Sequence, residues 1–247
     1  MLIQIELPKT ERKDSDSPQL NDLYNGFQRI ELVRGCKRGC AFCYADPNMK
    51  LFEVPEITNN KVLILGEGIL YDPNIKEKLI ELGNKKVNGK CVYYGLSQGI
   101  DFRLLTREIA EILVRGRFGR LTKRGKWVKG IKFAWDGNES FETLAKETID
   151  ILTDVGYKRE HIQVFVLVNW KISFETCMYK FRKLKEWGVQ IDDCTWNSTK
   201  EECLRQINSD KWDNQFWKAH EYYYFRHMCR KLNQITPRKG YDPEAKA

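Results

Sequence analysis

The stretch RGCKRGCAFCYADPN, residues 34–48, contains the residue types whose spacing is best suited to chemistry. It places Cys36, Cys40 and Cys43 within eight consecutive positions. Cysteine thiolates bind zinc and iron. Structural zinc takes four ligands, so the loop would need a fourth from elsewhere, and none of the three histidines lies at finger-like spacing. An iron–sulfur cluster held by only three cysteines instead leaves one iron open to a small molecule.

Apolar, β-branched runs alternate with amphipathic helical stretches along most of the chain. The runs at 27–33, 61–66, 91–97, 131–135, 162–168 and 189–196 predict strands, and the stretches near 73–83, 106–115, 140–155 and 173–187 predict helices. Near-continuous apolar strands that alternate with helices are typical of a parallel sheet covered by helices. The pattern therefore predicts an α/β fold, an open or partial (β/α) barrel.

Polar residues follow the predicted strands, at the ends where barrels of this kind collect their functional side chains. In chain order they are Gly66 and Glu67, then Ser97, Asp101 and Arg103, then Asp136, and then Asn169. Two structural alternatives remain open at this point. Glu67 would merely cap the helix that follows it, and Asp101 and Arg103 would merely form a local ion pair at the rim.

The motif C-x3-C-x2-C, with Phe42 directly before its last cysteine and a strand before the loop, resembles that of the radical S-adenosylmethionine (SAM) superfamily. The chain looks like a poorly characterised single-domain branch, and the resemblance extends over residues 26–200. It implies a partial (β/α)6 barrel and a [4Fe–4S] cluster on the three cysteines. It also implies reductive cleavage of SAM to a 5′-deoxyadenosyl radical, which abstracts hydrogen from a substrate. Peptide, nucleotide and small metabolite all remain open as that substrate.

The segment LGEG after the second predicted strand adds to the resemblance. The superfamily usually carries Gly-Gly-Glu-Pro there, and Gly66 and Glu67 match its second glycine and its acid. The resemblance implies that Glu67 holds the methionyl amine of SAM. Leu65 and Gly68 depart from the family pattern.

The resemblance implies further SAM contacts at later strand ends. Asp136 stands where the family contacts the ribose, and Asn169 stands where it contacts the adenine or the carboxylate. Phe42 and Tyr44 are predicted either to pack beside the adenine or to support the loop. The segment SQGIDFRLLT, residues 97–106, resembles one in a poorly characterised branch of the superfamily. Three of its residues are predicted to contact SAM or substrate: Ser97, Asp101 and Arg103.

Composition limits the protein class and its partners. The chain has 247 residues, 42% of them hydrophobic and 12% aromatic, which is enough to bury a core. No apolar run reaches the length of a membrane span, and the polar start lacks a signal peptide. We therefore expect a cytoplasmic protein with an N-terminal extension (1–25), a barrel core (26–200) and a C-terminal helical tail (201–247). The resemblance implies an electron donor such as flavodoxin or ferredoxin.

A different class of protein competes with this interpretation. The net charge of +8 and the segment 115–132, which carries eight Lys and Arg residues and no acid, fit a zinc-stabilised nucleic-acid-binding protein. This segment connects a predicted helix to a predicted strand, on the barrel face opposite the site. It is also predicted to contain a small hairpin with its turn at Arg124-Gly125. We therefore expect a solvated insertion there rather than a nucleic-acid patch.

Overall fold

The computed structural model describes residues 19–24, 26–40, 43, 45–121, 126–136, 139–168, 172–195 and 217–235. Of the predicted site residues, Phe42, Tyr44 and Asn169 lie outside these ranges. The chain divides into two compact units, the first comprising 1–132 and 151–158 and the second comprising 133–150 and 159–247. Parallel strands and helices occur in both units, so the predicted mixed α/β class is confirmed.

A six-stranded sheet forms the centre of the first unit. Its strands in spatial order are β1 (Asn21–Tyr24), β2 (Phe27–Glu31), β5 (Lys61–Leu65), β8 (Tyr93–Leu96), β9 (Phe118–Leu121) and β10 (Trp127–Val128). The four inner strands are parallel, and β1 and β10 pair antiparallel at the two edges. Two small antiparallel ladders join β3 (Val33–Arg34) to β4 (Lys50–Leu51) and β6 (Lys86–Val87) to β7 (Lys90–Cys91).

Helices follow the inner strands of the first unit, and one of them begins at its predicted cap. In β5 the run Val62, Leu63 and Ile64 is buried throughout, as expected for an inner parallel strand. Helix α1 (Ile75–Asn84) follows β5, and helix α2 (Arg107–Arg115) follows β8. The Thr106 side chain caps α2 by accepting the Ile109 N–H at 3.2 Å, so the predicted start of this helix is confirmed.

The basic segment 115–132 is not a solvated insertion, and that prediction is wrong. The strand β9 within it pairs parallel with β8, because α2 returns the chain to the same end of the sheet. The two strands of the predicted hairpin are present as β9 and β10, with Trp127 opposite Leu121. Its predicted turn lies in 122–125, outside the described residues. The strand predicted at 131–135 belongs instead to a separate sheet.

That separate, three-stranded sheet comprises β11 (Lys132–Ala134), β12 (Gln163–Val168) and β13 (Gln190–Thr195), in this order. Strands β12 and β13 pair in parallel over their full length. A helix follows each of these strands in the chain: α3 (Glu142–Asp154) after β11, α4 (Phe174–Glu186) after β12 and α5 (Ala219–Ile235) after β13. Ser173 caps α4 by accepting the Thr176 N–H at 3.1 Å, which confirms the predicted start of α4.

Helix α5 covers the edge of this sheet. The Asn233 side chain accepts the Ile191 N–H at 2.9 Å and also donates to the Ile191 carbonyl. A free strand edge would leave both backbone groups unpaired. A helix in the predicted C-terminal tail is thus confirmed, although residues 201–216 and 236–247 of that tail are not among those described.

The described strands form separate sheets, and a closed barrel is not seen among them. The prediction of parallel strands packed with helices is confirmed, without the closure into a barrel. The described residues include no helix that combines the length and the apolar character needed to cross a bilayer.

Candidate functional site

The cysteine loop is closed at its base by backbone pairing. Strands β3 and β4 bring Arg34 opposite Lys50, and the Cys36 N–H donates to the Asp46 carbonyl at 2.8 Å. Gly35 lies at the centre of this closure with φ +81°, and a Cβ there would lie 2.5 Å from the Asp46 oxygen. Only glycine fits both the conformation and the space. The sequence 35–49 is therefore a loop whose two ends are held together beside β2.

A buried ion pair supports the base of the loop. The Arg34 guanidinium donates to both carboxylate oxygens of Glu31, at 3.0 and 2.6 Å, and lies 5.0 Å from the centre of the Phe52 ring. Both charged side chains are only 10% exposed. The hydrogen bonds to Glu31 raise the pKa of Arg34 above its usual value. Arg34 lies two residues before Cys36, so the pair fixes the point from which the loop departs.

A second buried ion pair anchors the chain after the loop. The Lys78 ammonium of α1 donates to Asp72 and to the Phe52 carbonyl, each at 2.8 Å. The Asp72 side chain is fully buried and also accepts the Asn74 N–H at 2.9 Å. Phe52 follows β4 directly, so Lys78 ties the returning strand of the loop to the start of α1.

The three cysteines differ in exposure and in their contacts. Cys36 and Cys40 are half-buried and Cys43 is exposed. The Cys43 N–H donates to the Cys40 carbonyl at 2.9 Å, and the Cys43 Sγ accepts the Ala45 N–H at 3.4 Å. Burial raises the pKa of the Cys36 thiol, a hydrogen bond from the Arg38 N–H opposes this, and the neighbouring Cys43 adds to the increase. Within the described ranges, no three side chains of the ligating types His, Cys, Asp and Glu are gathered as a metal site.

The LGEG segment lies directly against the cysteine loop. Gly66 has φ +132°, and a Cβ on it would lie 2.4 Å from the Val33 carbonyl oxygen. A Cβ on Gly68 would lie 3.0 Å from the Gly35 oxygen and 3.3 Å from the Cys36 Cβ. Gly66 is therefore required by close backbone approach, and at Gly68 a side chain would be tightly packed against the loop. Gly68, which departs from the family pattern, has a clear physical role at this contact.

Glu67 lies between these two glycines and is half-exposed. Its charge contributes to the raised pKa of Arg34, after the larger effects of Glu31 and of burial, so the two side chains are near each other. The short helix that follows, Ile69–Tyr71, has no side-chain cap, and neither has α1. The alternative that Glu67 serves as a helix cap is wrong.

Ser97 follows the carboxyl end of β8, beside the end of β5. Its backbone N–H donates to the Ile64 carbonyl at 3.0 Å. Its Oγ is buried and has no hydrogen-bond partner within the part of the chain that the structure describes. A buried hydroxyl without a partner costs free energy unless a ligand or a water satisfies it. A buried hydroxyl without a partner among these residues, as Ser97 has here, is expected of a residue that contacts a ligand at this strand end.

Asp101 and Arg103 form the predicted local ion pair, and Tyr71 joins it. The Arg103 Nε and Nη2 donate to the Asp101 carboxylate at 2.9 and 2.6 Å. The Tyr71 hydroxyl donates to Asp101 at 2.8 Å and accepts from Arg103 Nη2 at 3.1 Å. The Nη1 nitrogen of Arg103 has no hydrogen-bond partner among the described residues. This leaves one edge of the guanidinium available for an anionic or polar ligand.

The electrostatics of this cluster follow from its geometry. Burial raises the pKa of Asp101, but the hydrogen bonds from Arg103 and Tyr71 outweigh it and hold that pKa below its usual value. Burial, followed by the bond to Asp101, raises the pKa of Tyr71 to about 12. Asp101 also helps to raise the pKa of Cys36, and Cys36 helps to raise that of Tyr71. The cluster therefore lies close to the cysteine loop.

The predicted residues that follow β2, β5 and β8 all belong to the first unit. They are Cys36, Cys40, Cys43, Gly66, Glu67, Ser97, Asp101 and Arg103. Asp136 belongs to the second unit, where it is half-buried and follows β11 by two residues. Sequence reasoning missed Tyr71, because its partner Asp101 is thirty positions away and no local pattern relates them.

No protein-family model matches the chain, and no curated protein sequence matches it.

Proposed function

We propose that this chain is a radical SAM enzyme with a [4Fe–4S] cluster on Cys36, Cys40 and Cys43. The observation that carries the proposal is the contact of the LGEG glycines with the cysteine loop, where Gly68 lies against Cys36. The segment proposed to hold the amine of SAM is thereby adjacent to the thiols proposed to hold iron. When bound, such a cluster supplies the electron that cleaves SAM to methionine and a 5′-deoxyadenosyl radical, which takes hydrogen from a substrate.

The donor set of the loop is consistent with this group. Three thiols are the ligands that an iron–sulfur cluster with one open iron requires. Backbone N–H groups of Arg38 and Ala45 donate to the sulfurs of Cys36 and Cys43, and hydrogen bonds to the sulfurs are among the features that tune iron–sulfur clusters. Ligand thiols must be deprotonated to bind metal.

Glu67 and Ser97 would then contact SAM. The Glu67 carboxylate is half-exposed between two glycines that allow a ligand to approach the backbone, so it would accept hydrogen bonds from the SAM amine. The buried Ser97 Oγ would donate to or accept from the same ligand and so gain its missing partner.

Arg103 would bind a carboxylate, of SAM or of the substrate. Asp101 and Tyr71 hold one edge of the guanidinium rigid, and Nη1 would donate from its other edge. Asp136 in the second unit keeps its proposed contact with the ribose of SAM. Phe42 keeps its proposed role beside the adenine, and Asn169 keeps its proposed contact with the adenine or the carboxylate. Both lie outside the described residues.

An external electron donor such as flavodoxin or ferredoxin completes the proposal. Lys37, inside the cysteine loop, is exposed. A cation beside the cluster would steer an acidic donor toward it. The chemical class of the hydrogen-donating substrate stays open between peptide, nucleotide and small metabolite.

The alternative of a zinc-stabilised nucleic-acid-binding protein receives less support. Several cations of the segment 115–132 are used within the fold. Arg117 donates to the Val92 and Gly83 carbonyls at 3.1 and 2.7 Å, and Arg120 is buried. Arg115 pairs with Glu111 at 2.9 Å. Fewer cations are thus available for phosphate than the sequence suggests.

Anaerobic reconstitution with iron and sulfide tests the proposal. We expect about four irons per chain and the visible absorption of an iron–sulfur cluster, which should disappear on exposure to oxygen. After reduction, the protein should release 5′-deoxyadenosine from SAM. Cys40→Ala should lose both the iron and the product. A colourless protein with one zinc per chain, or a full cluster that yields no 5′-deoxyadenosine, would overturn the proposal.

A further inference from the structure

The second unit contains a lysine buried at the strand end that carries Asp136. Lys180 of α4 has no exposed surface. Its ammonium donates to the Trp135 carbonyl at 2.9 Å and lies 5.6 Å from the centre of the Trp135 ring. Trp135 is itself fully buried and stacks on Trp187, with 5.5 Å between ring centres. The backbone immediately before Asp136 is therefore fixed by a buried cation and by a stacked pair of indole rings.

Burial of an ammonium at this position is costly and needs compensation. Burial is the largest influence on Lys180 and lowers its pKa. Cys177, Asp136 and Glu139 act in the opposite direction. Asp136 directly follows Trp135, whose carbonyl accepts from the ammonium at 2.9 Å. A hydrophobic residue would fill the same space without this cost. The role of the Lys180 ammonium therefore lies in the groups that it contacts.

A second polar group at the same strand end indicates, independently of Lys180, that this end of β11 contacts a ligand. The Trp135 Nε1 is buried without a hydrogen-bond partner among the described residues. Two strong donors, the indole N–H and the ammonium, therefore lie buried at the carboxyl end of β11. Such strand ends are where parallel α/β folds place their ligand contacts.

We propose that Lys180 is a positioning residue for Asp136, holding the end of β11 in place so that the Asp136 carboxylate is oriented to accept from the hydroxyls of SAM. This inference rests on the proposed function for the identity of the ligand. The coupling between Lys180 and Asp136 can be measured without any ligand.

A double-mutant cycle on unfolding tests the coupling in the ligand-free protein. Lys180→Gln removes the charge and keeps a donor for the Trp135 carbonyl. Asp136→Asn should lower the melting temperature in the wild-type background, because it removes an anion that compensates the buried ammonium. It should have a smaller effect in the Lys180→Gln background. Equal shifts in the two backgrounds would overturn the inference.

A second double-mutant cycle, measured by SAM titration of the reconstituted protein, tests whether Lys180 supports SAM binding through Asp136. Lys180→Gln should weaken SAM binding about tenfold, and should add little to the loss in Asp136→Asn. The control is Lys183→Gln on the same helix, because Lys183 pairs with Glu142 at 3.0 Å and is 32% exposed. A loss that is equally large in the Asp136→Asn background would show that Lys180 acts only through packing, and the inference would fail.

A direct measurement covers the case in which Lys180→Gln does not fold. The pKa of Lys180, followed by NMR of its side-chain carbon in the wild-type chain, should fall in Asp136→Asn, since Asp136 raises it. Asp154→Asn, at an exposed ion pair with Arg107, should leave it unchanged. An unchanged Lys180 titration in Asp136→Asn would overturn the inference. If the wild-type protein binds no SAM, the proposed function fails, and the unfolding cycle still decides the coupling.

Discussion

Gly68 and Cys36 are in direct contact, and a Cβ on Gly68 would lie 3.2 Å from the Cys36 Cα and 3.3 Å from its Cβ. The contact joins the segment after β5 to the loop after β2, two neighbouring parallel strands. It gives a structural reason for the second glycine of LGEG, where the superfamily usually has proline. A side chain at this position would crowd the loop where the backbone of residues 66–68 approaches it.

Gly68→Ala tests that contact. Gly68 has φ −122°, which alanine adopts without strain, so any effect comes from the new Cβ against Gly35 and Cys36. We expect the loop to shift and the reconstituted protein to hold at most about half the wild-type iron, with a loss of about 1–3 kcal/mol in unfolding free energy. Iron per chain and urea unfolding are the measurements.

The matched control is Gly89→Ala. Gly89 has φ +74°, and a Cβ on it would meet no atom within 4 Å, so alanine there introduces backbone strain without a contact. It should lose about 1 kcal/mol of stability and keep its iron. If Gly68→Ala retained full iron while Gly89→Ala lost it, the contact would have no role in the site.

Most of the site residues could be predicted because each follows a strongly apolar strand. Carboxyl ends of adjacent parallel strands meet at one edge, so a correct strand prediction places Cys36, Gly66 and Ser97 near one another. Tyr71 could not be predicted this way. It reaches Asp101 through a tertiary contact, and a tyrosine in a loop carries no local signal for such a contact. The supporting pair of Arg34 and Glu31 was missed because charged residues within a strand suggest an exposed face.

The mixed α/β class with parallel strands was predicted correctly, whereas the place of β9 in the parallel sheet was not predicted. β9 (Phe118–Leu121) contains Gly119 and Arg120, and neither residue favours a strand. Its burial comes from pairing with β8 and from the Tyr94–Phe118 stack at 4.8 Å between ring centres. Tertiary packing thus overrides local propensity here. The strand β11 (Lys132–Ala134) was predicted from its apolar sequence. Its sequence does not show which sheet it joins, because that depends on the strand with which it pairs.

Single replacement of the loop cysteines tests the cluster assignment. Cys36→Ala, Cys40→Ala and Cys43→Ala should each abolish cluster incorporation, because three thiolates are the minimum for a cluster with one open iron. Cys91→Ala, at a half-buried cysteine in a separate two-stranded ladder, should incorporate iron normally. Iron and sulfide analysis of all four proteins is the measurement. Loss of the cluster in Cys91→Ala but not in Cys40→Ala would contradict the assignment.

The ion pair beneath the loop should dominate the stability of the first unit. Arg34→Met leaves the Glu31 carboxylate buried without its bidentate partner, which should cost about 3–5 kcal/mol. Arg115→Met, at the exposed pair with Glu111, should change stability by less than about 1 kcal/mol. Urea unfolding of both variants gives the comparison. The double change Arg34→Met with Glu31→Gln should recover part of the loss, and equal costs at both sites would refute the role of the buried pair.

The Asp101 cluster predicts a pH dependence of stability. Its hydrogen bonds hold the pKa of Asp101 below the usual 3.8, so its contribution to stability is present above that value and is lost as the pH falls through the lower folded-state pKa. At neutral pH, Asp101→Asn should therefore be less stable than the wild type by about 2 kcal/mol. The difference should shrink in acid. Unfolding measured from about pH 7 to about pH 2 tests this, and a difference that stays constant over this range would contradict it.

Replacement of Glu67 separates SAM binding from cluster binding. Glu67 lies beside the loop without supplying a ligand, so Glu67→Ala should leave the iron content unchanged. A charge-assisted hydrogen bond to the SAM amine contributes about 1.5–3 kcal/mol, so the change should weaken SAM binding about 10- to 150-fold. The measurement is SAM titration of the reconstituted variant, with iron counted in the same sample.

Two companion variants make the Glu67 result specific. Glu67→Gln keeps the shape and an acceptor oxygen but removes the charge, so its SAM affinity should lie between those of the wild type and Glu67→Ala. Glu81→Ala, at an exposed pair with Lys85 on α1, should bind SAM as the wild type does. The charge of Glu67 also helps to raise the pKa of Arg34, so a small loss of stability in Glu67→Ala is expected as well. Wild-type SAM affinity in Glu67→Ala, in a protein with full iron, would remove Glu67 from the proposed binding site.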